Sequence, residues 1–246
     1  MILLANGLTK TYPGARKPAL SDFNLSLGSG EIVGLLGPNG AGKTTAISLM
    51  TGLLAPDSGS VHICGIDLFK SSRQARQWIG LVPQHIALYP NLTATENLSY
   101  LGRMYRLSGR VLKERIGACL EMVGLSNNAR IRIAAYSGGM KRRANLAAAL
   151  LHEPKMLFLD EPTTGIDPQS RNMILDRLSD LSRSGISMLY TTHYMEEAEK
   201  ICSRVAIIDE GRIISEGSPE DLINGHPGCE HLGALFLQLT GKELRD

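Results

Sequence analysis

The 246-residue chain is 43% apolar and 20% charged, and its 26 Lys and Arg nearly balance 24 Asp and Glu, for a formal net charge of +2. A chain of this size and composition buries its own core, which excludes disordered, collagen-like and fibrous classes. The charge balance gives no support to nucleic-acid binding by bulk positive charge.

In chain order, Met1-Ile-Leu-Leu-Ala lacks the basic segment of a secretory leader. Glu31–Leu36 reads as an apolar strand followed by glycines. Thr44–Leu54 reads as a helix with Ile47, Met50 and Leu54 on one side, interrupted near its end by Gly52 and closed by the turn Pro56-Asp57-Ser58-Gly59. Ala94–Tyr105, Val111–Val123 and the Ala-rich Gly138–Leu151 are helical patterns with few strand signals around them. Lys155–Leu159, Ser187–Thr191 and Val205–Ile208 read as buried strands, with helical patterns at Ser170–Leu181 and Tyr194–Cys202 between them. Strands alternating with helices predict a parallel sheet covered on both faces. A helical lobe over 85–151 is expected inside an α/β core made of 1–84 and 152–224, with 225–246 as a C-terminal tail. No apolar run approaches the ~20 residues of a membrane span. Cys64, Cys119, Cys202 and Cys229 form no Cys-x-x-Cys pair and read as reduced thiols of a cytosolic protein.

Gly37-Pro38-Asn39-Gly40-Ala41-Gly42-Lys43-Thr44, followed by Thr45, matches G-x-x-x-x-G-K-[ST] and sits between a strand and a helix, the context the motif requires. Its glycines let backbone N–H groups face a polyanion, and the following helix adds its N-terminal dipole. Lys43 supplies charge to the β- and γ-phosphates, and the Thr44 hydroxyl can ligate Mg²⁺. Met156–Leu159 ends in Asp160 and Glu161. Charges at the carboxyl end of a buried strand project into the crevice where such sheets bind ligands. Asp160 is the candidate Mg²⁺ ligand and Glu161 the candidate general base. Read alone, the pair is better taken as an acidic, solvated strand end; beside the phosphate loop it reads as functional.

Tyr136-Ser137-Gly138-Gly139-Met140 lies just upstream of Asp160-Glu161-Pro162. A phosphate loop, a Ser-Gly-Gly helix start and a hydrophobic strand ending in Asp-Glu together resemble the ATP-binding cassette of ABC transporters, over nearly the whole chain. The resemblance implies a P-loop NTPase core with a mostly parallel sheet, an antiparallel β subdomain and an inserted helical subdomain. It also implies roles. Tyr12 would stack on adenine. Gln84 would link Mg²⁺ and the attacking water to the helical lobe. Ser137, Gly138 and Gly139 would close on the γ-phosphate of ATP held by the other subunit. Asp167, in Gly165-Ile166-Asp167, would lie at the dimer seam, and His193 would touch the γ-phosphate. Tyr12, Gln84 and His193 carry little weight alone; in register with the motifs they gain function. The motif departs from the common form in Tyr136 in place of Leu and Met140 in place of Gln.

The Tyr-Ser-Gly-Gly-Met variant, the segment Leu88-Tyr89-Pro90-Asn91-Leu92-Thr93, and the ending from Leu237 to Asp246 are similar to cassettes of drug-resistance and related exporters. The basic triplet Lys141-Arg142-Arg143 reads either as a solvated helix face or as a contact to a partner subunit. The resemblance therefore implies an ATPase, cytoplasmic and peripheral on the inner face of the membrane. It would pair with a second cassette, taken as another copy, and with separate multi-span membrane subunits, using ATP and Mg²⁺ and no nucleic acid. A soluble cassette outside transport and a non-catalytic regulatory module are the competing classes. The single signature and the joint presence of Lys43, Asp160, Glu161 and His193 argue against them. Import stays open beside export.

Overall fold

A computed structural model describes residues 1–241; Lys242 to Asp246, which close the ending singled out above, lie outside the described residues. Two sheets form the frame. In the smaller one, β1 (Leu3–Lys10) pairs antiparallel with β2 (Leu20–Leu27) and with β4 (Ser58–Ile63), which pairs with β5 (Ile66–Asp67). The larger sheet has the order β10-β9-β3-β8-β7-β6. Its strands are β3 (Ile32–Leu36), β6 (Ile79–Val82), β7 (Met156–Asp160), β8 (Ser187–Thr191), β9 (Arg204–Asp209) and β10 (Arg212–Gly217). All neighbours in it are parallel except the edge strand β10.

Every residue of β3, β7 and β8 is buried. That is why these segments are nearly continuous apolar runs rather than alternating ones. Successive residues feed two different cores: Phe158 joins Val33, Leu35, Ile47 and Phe23 on one face, while Leu157 and Leu159 join Leu178, Leu146 and Phe236 on the other.

The helices follow as α1 (Lys43–Met50), α2 (Ser72–Arg76), α3 (Ala94–Met104), α4 (Gly109–Met122), α5 (Gly138–Leu150), α6 (Pro168–Arg183), α7 (Met195–Ile201), α8 (Pro219–Asn224) and α9 (Leu232–Thr240). Thr93 and Glu96 close a capping box at α3, and α3, α4 and α5 pack on one another. The first helix stops at Met50 rather than at Leu54: the Thr51 hydroxyl turns back to the Ile47 carbonyl, and Gly52 adopts φ +72°. The segment expected as a tail carries α9, whose Leu232, Leu235 and Phe236 are buried against the core. The Leu-to-Tyr departure at Tyr136 also has a local reason, since its hydroxyl donates to the Asn128 carbonyl at 2.8 Å.

Candidate functional site

The sheet order β3-β8-β7, all parallel, places the loop after β3, the two acids ending β7 and the end of β8 side by side along one edge. The phosphate loop turns through Gly42 at φ +108°, where a Cβ would stand 2.6 Å from the Ala19 carbonyl oxygen, so only glycine fits. No side chain caps α1, which leaves its first N–H groups available. Lys43 is buried, and its ammonium donates to the Gly37 carbonyl at 2.7 Å and the Pro38 carbonyl at 3.2 Å. Burial pulls its pKa below the usual lysine value, against the opposing pull of Glu161 and Asp160.

Asp160 receives the Thr191 hydroxyl at 2.7 Å and the Thr44 hydroxyl at 3.3 Å. Burial raises its pKa and Glu161 adds to that, while the two hydroxyls and Lys43 work the other way. Glu161, next along, is held at φ +47°, a left-handed conformation rare for a residue with a side chain. Its N–H donates to the Thr191 hydroxyl at 3.0 Å, and the strain is retained because Thr191 of β8 also holds Asp160 beside it. One carboxylate oxygen of Glu161 accepts from the Gln84 amide at 3.3 Å and the Thr164 hydroxyl at 3.3 Å, and lies 3.4 Å from His193 Nδ1. A carboxylate ringed by an amide, a hydroxyl and an imidazole can orient a water and take its proton.

Lys43, Thr44, Asp160, Glu161, Gln84 and His193 thus come together. Tyr12 stands at the rim, half exposed, with its hydroxyl 3.2 Å from the Thr45 hydroxyl. Ser137, Gly138, Gly139 and Asp167 form a second group. Ser137 caps α5 by accepting the Met140 N–H, and Asp167 caps α6 by accepting the Ser170 N–H at 2.9 Å. The two helix starts touch so closely that a Cβ on Gly139 would fall 2.3 Å from Ser170 Oγ.

The triplet after the signature is not simply a solvated helix face. Arg142 donates to the Gln84 carbonyl and to the Thr164 carbonyl at 3.3 Å, and Arg143 donates to the Val123 carbonyl at 2.9 Å. Two of the three cations are therefore struts within the chain, because planar guanidinium forks satisfy carbonyls that the loops leave open. Asn145 adds to the same face of α5, accepting the Ala87 N–H at 3.2 Å. Sequence reading also missed Glu197, a buried acid of α7; its place between Met195 and Ala198 on the apolar side of that helix was the available signal.

The chain is similar to known proteins along nearly its whole length. The family model described as "ABC transporter" matches residues 20–164. The linearmycin resistance ATP-binding protein of Bacillus subtilis is 48% identical over 240 residues, covering 97% of this chain and 75% of that protein. A Nod factor export ATP-binding protein of Cupriavidus pinatubonensis is 46% identical over 225 residues, covering 92% and 68%. Among solved structures, an ATP-binding cassette captured as a dimer in a post-hydrolysis state with ADP and Pi superposes with a TM-score of 0.80 at 30% identity, covering 88% of this chain and 98% of that one.

Proposed function

The chain belongs to the ABC transporter family as an ATP-binding, ATP-hydrolysing subunit, and from that premise we propose how it works: two copies trap ATP between them and part when it is cleaved. The phosphate loop of one copy, with Lys43, holds the β- and γ-phosphates, and Tyr12 stacks on the adenine. Ser137, Gly138 and Gly139 of the other copy close on the γ-phosphate, with Asp167 at the seam. A two-fold pairing then builds two equal sites from shared parts. Glu161 takes a proton from the attacking water, and Gln84 and His193 hold that water and the γ-phosphate in line. The observation that carries this reading is the convergence of Gln84 and His193 on one oxygen of Glu161, beside Lys43.

Thr44 and Asp160 suit Mg²⁺, since a hydroxyl and a carboxylate oxygen 3.3 Å apart are both hard donors, and Gln84 would add a further amide oxygen. When bound, the ion neutralises charge on the transferring phosphoryl group.

We also infer that the work done is export through separate membrane subunits, in keeping with the resistance and export relatives. Among the described residues no helix is long and apolar enough to cross a membrane. A cavity of about 250 Å³ between the core and the helical lobe is lined by Leu53, Leu81, Leu101 and Tyr105, and Tyr89, Tyr100 and Met104 stand exposed beside it. Apolar surface of this kind marks a docking site, here for a helix of a membrane subunit that holds the cassette on the inner face of the membrane.

Size-exclusion chromatography of Glu161→Gln with and without ATP tests the pairing. ATP shifts the chain to a dimer, and Ser137→Arg abolishes the shift while a single subunit still binds ATP. Dimers that form equally well in Ser137→Arg refute the shared site.

A further inference from the structure

Behind the catalytic edge lies a buried carboxylate that the reading above does not use. Glu197 is 3% exposed. One of its oxygens accepts three hydroxyl protons, from Tyr190 at 2.6 Å, Thr192 at 2.7 Å and Thr163 at 3.0 Å. Its other oxygen makes no hydrogen bond and faces Arg171 Nε at 3.4 Å as an ion pair. The donors come from separate pieces of chain. Thr163 is two residues after Glu161. Thr192 directly precedes His193, and its hydroxyl also accepts the Tyr194 N–H at 2.9 Å. Arg171 lies in the first turn of α6, its N–H bonded to the carbonyl of Asp167. Its guanidinium covers the Tyr194 ring at 4.2 Å, and that ring lies 4.1 Å from the ring of His193.

We propose that Glu197 is a positioning residue for ATP hydrolysis: its carboxylate ties the His193 loop, the segment carrying Glu161 and the start of α6 into one arrangement. The inference rests on the Glu161–His193 reading above. Burying a carboxylate is costly unless it is paired and hydrogen-bonded, and an apolar side chain here would leave three hydroxyls and Arg171 without their acceptor. A full negative charge, by contrast, collects three hydroxyl donors on one atom and still attracts Arg171. No neutral side chain of that size does both. A glutamine amide that kept its oxygen on the hydroxyls would turn its NH₂ toward Arg171, donor against donor. Turned the other way, it would force three hydroxyls to reverse. The first case drives Arg171 away and the second takes the anchor from Thr192, and either way the imidazole one residue on loses its fixed distance to Glu161.

The test uses the full chain and follows both kinetics and the imidazole NMR signals, with the His193 signals assigned by their loss in His193→Ala. Glu197→Gln lowers kcat by about 10²-fold, the effect of a ~1 Å misplacement, and leaves ATP affinity unchanged. The His193 signals shift or broaden while those of His62 and His226 stay. Thr163→Val, which removes one donor with little change of shape, gives a smaller loss of the same kind and decides the matter if Glu197→Gln does not fold. Full kcat in the variant that folds, unmoved His193 signals, or a loss of ATP affinity in step with kcat each overturn the proposal. A wild-type chain that does not hydrolyse ATP removes the functional reading itself; an active wild type with an equally active Glu197→Gln removes only this inference.

Discussion

Glu161 and His193 meet at 3.4 Å because the strands before them are in parallel register, with Asp160 opposite Thr191. Each strand delivers its functional side chain just past the last paired residue, where the backbone is free to turn. Glu161 turns through a left-handed conformation and is held there by the Thr191 hydroxyl. The Glu161 carboxylate, the proposed base, is therefore aimed by the backbone of one strand and the side chain of the next.

Glu161→Gln keeps the shape and the Gln84 contact but removes the proton acceptor. Phosphate release falls by about 10²–10⁴-fold, the usual share of general-base catalysis. Equilibrium ATP binding stays intact, because Lys43 and the loop amides are untouched. A variant that turned over at the normal rate would show that another group takes the proton.

The parts of this site that are contiguous in sequence were legible: Gly37–Thr45 and Asp160-Glu161 each carry their chemistry within one turn or strand end. Helix α5 was legible because Ser137 announces its start as a cap, whereas α6 was placed from Ser170, two residues late, because Asp167 was taken only as a seam residue. The small antiparallel sheet was implied by family resemblance, but its strands were not placed. β1 and β2 break their alternation at register shifts around Gly7, and Asp22 sits at φ +52° within β2, so period-2 spacing does not run through either strand. Arg142 and Glu197 were illegible for another reason. Gln84, Thr164, Tyr190 and Thr163 come to them from distant elements, and a charged residue on a helix gives no local sign that its partners are backbone carbonyls or buried hydroxyls.

At the opposite end of the sheet, Arg204 at the start of β9 donates to Glu31 at 2.8 Å. Burial pushes the Glu31 pKa up, but the Arg204 bond and charge and the Gly28 N–H outweigh it and hold the value below 4.5. A depressed carboxylate stabilises the fold above its unfolded pKa and loses that contribution as the pH falls through its folded value. Glu31→Gln therefore lowers the unfolding free energy at pH 7 by about 1 kcal/mol, solvent screening of this part-exposed pair keeping it at the low end. Urea titrations at stepped pH show the gap to wild type narrowing below pH 4.5. A gap that widened on acidification would reverse the assigned sign.

Gly139 has a steric reason to be glycine that is independent of any phosphate. An added Cβ would lie 2.3 Å from Ser170 Oγ and 2.7 Å from Ser170 Cβ, both near the start of α6. Gly139→Ala therefore forces the two helix starts apart, at about 1–3 kcal/mol of overpacking. Ser170→Gly removes both obstructing atoms while keeping the N–H that Asp167 caps. The double variant recovers most of the thermal stability that Gly139→Ala loses. No recovery would mean that backbone conformation, not contact, fixes the glycine.

Arg142 ties the start of α5 to the Gln84 loop. Its guanidinium reaches the Gln84 carbonyl on one side and the Thr164 carbonyl on the other, and Thr164 in turn donates to Glu161. Asn145, one turn on, holds the Ala87 N–H. The lobe carrying Ser137 and the loop that brings Gln84 to Glu161 are thus joined at two points. Arg142→Ala cuts the fork but leaves Asn145, so folding survives with a cost of about 1 kcal/mol, water satisfying the part-exposed carbonyls. Turnover suffers more, by about 10–10²-fold, since Gln84 is no longer held against the base. Arg142→Lys, a point donor that serves one carbonyl at a time, falls between the two. Steady-state rates ranked wild type, Lys, Ala at constant ATP affinity establish the strut. Equal rates in all three would leave the loop held by Asn145 alone.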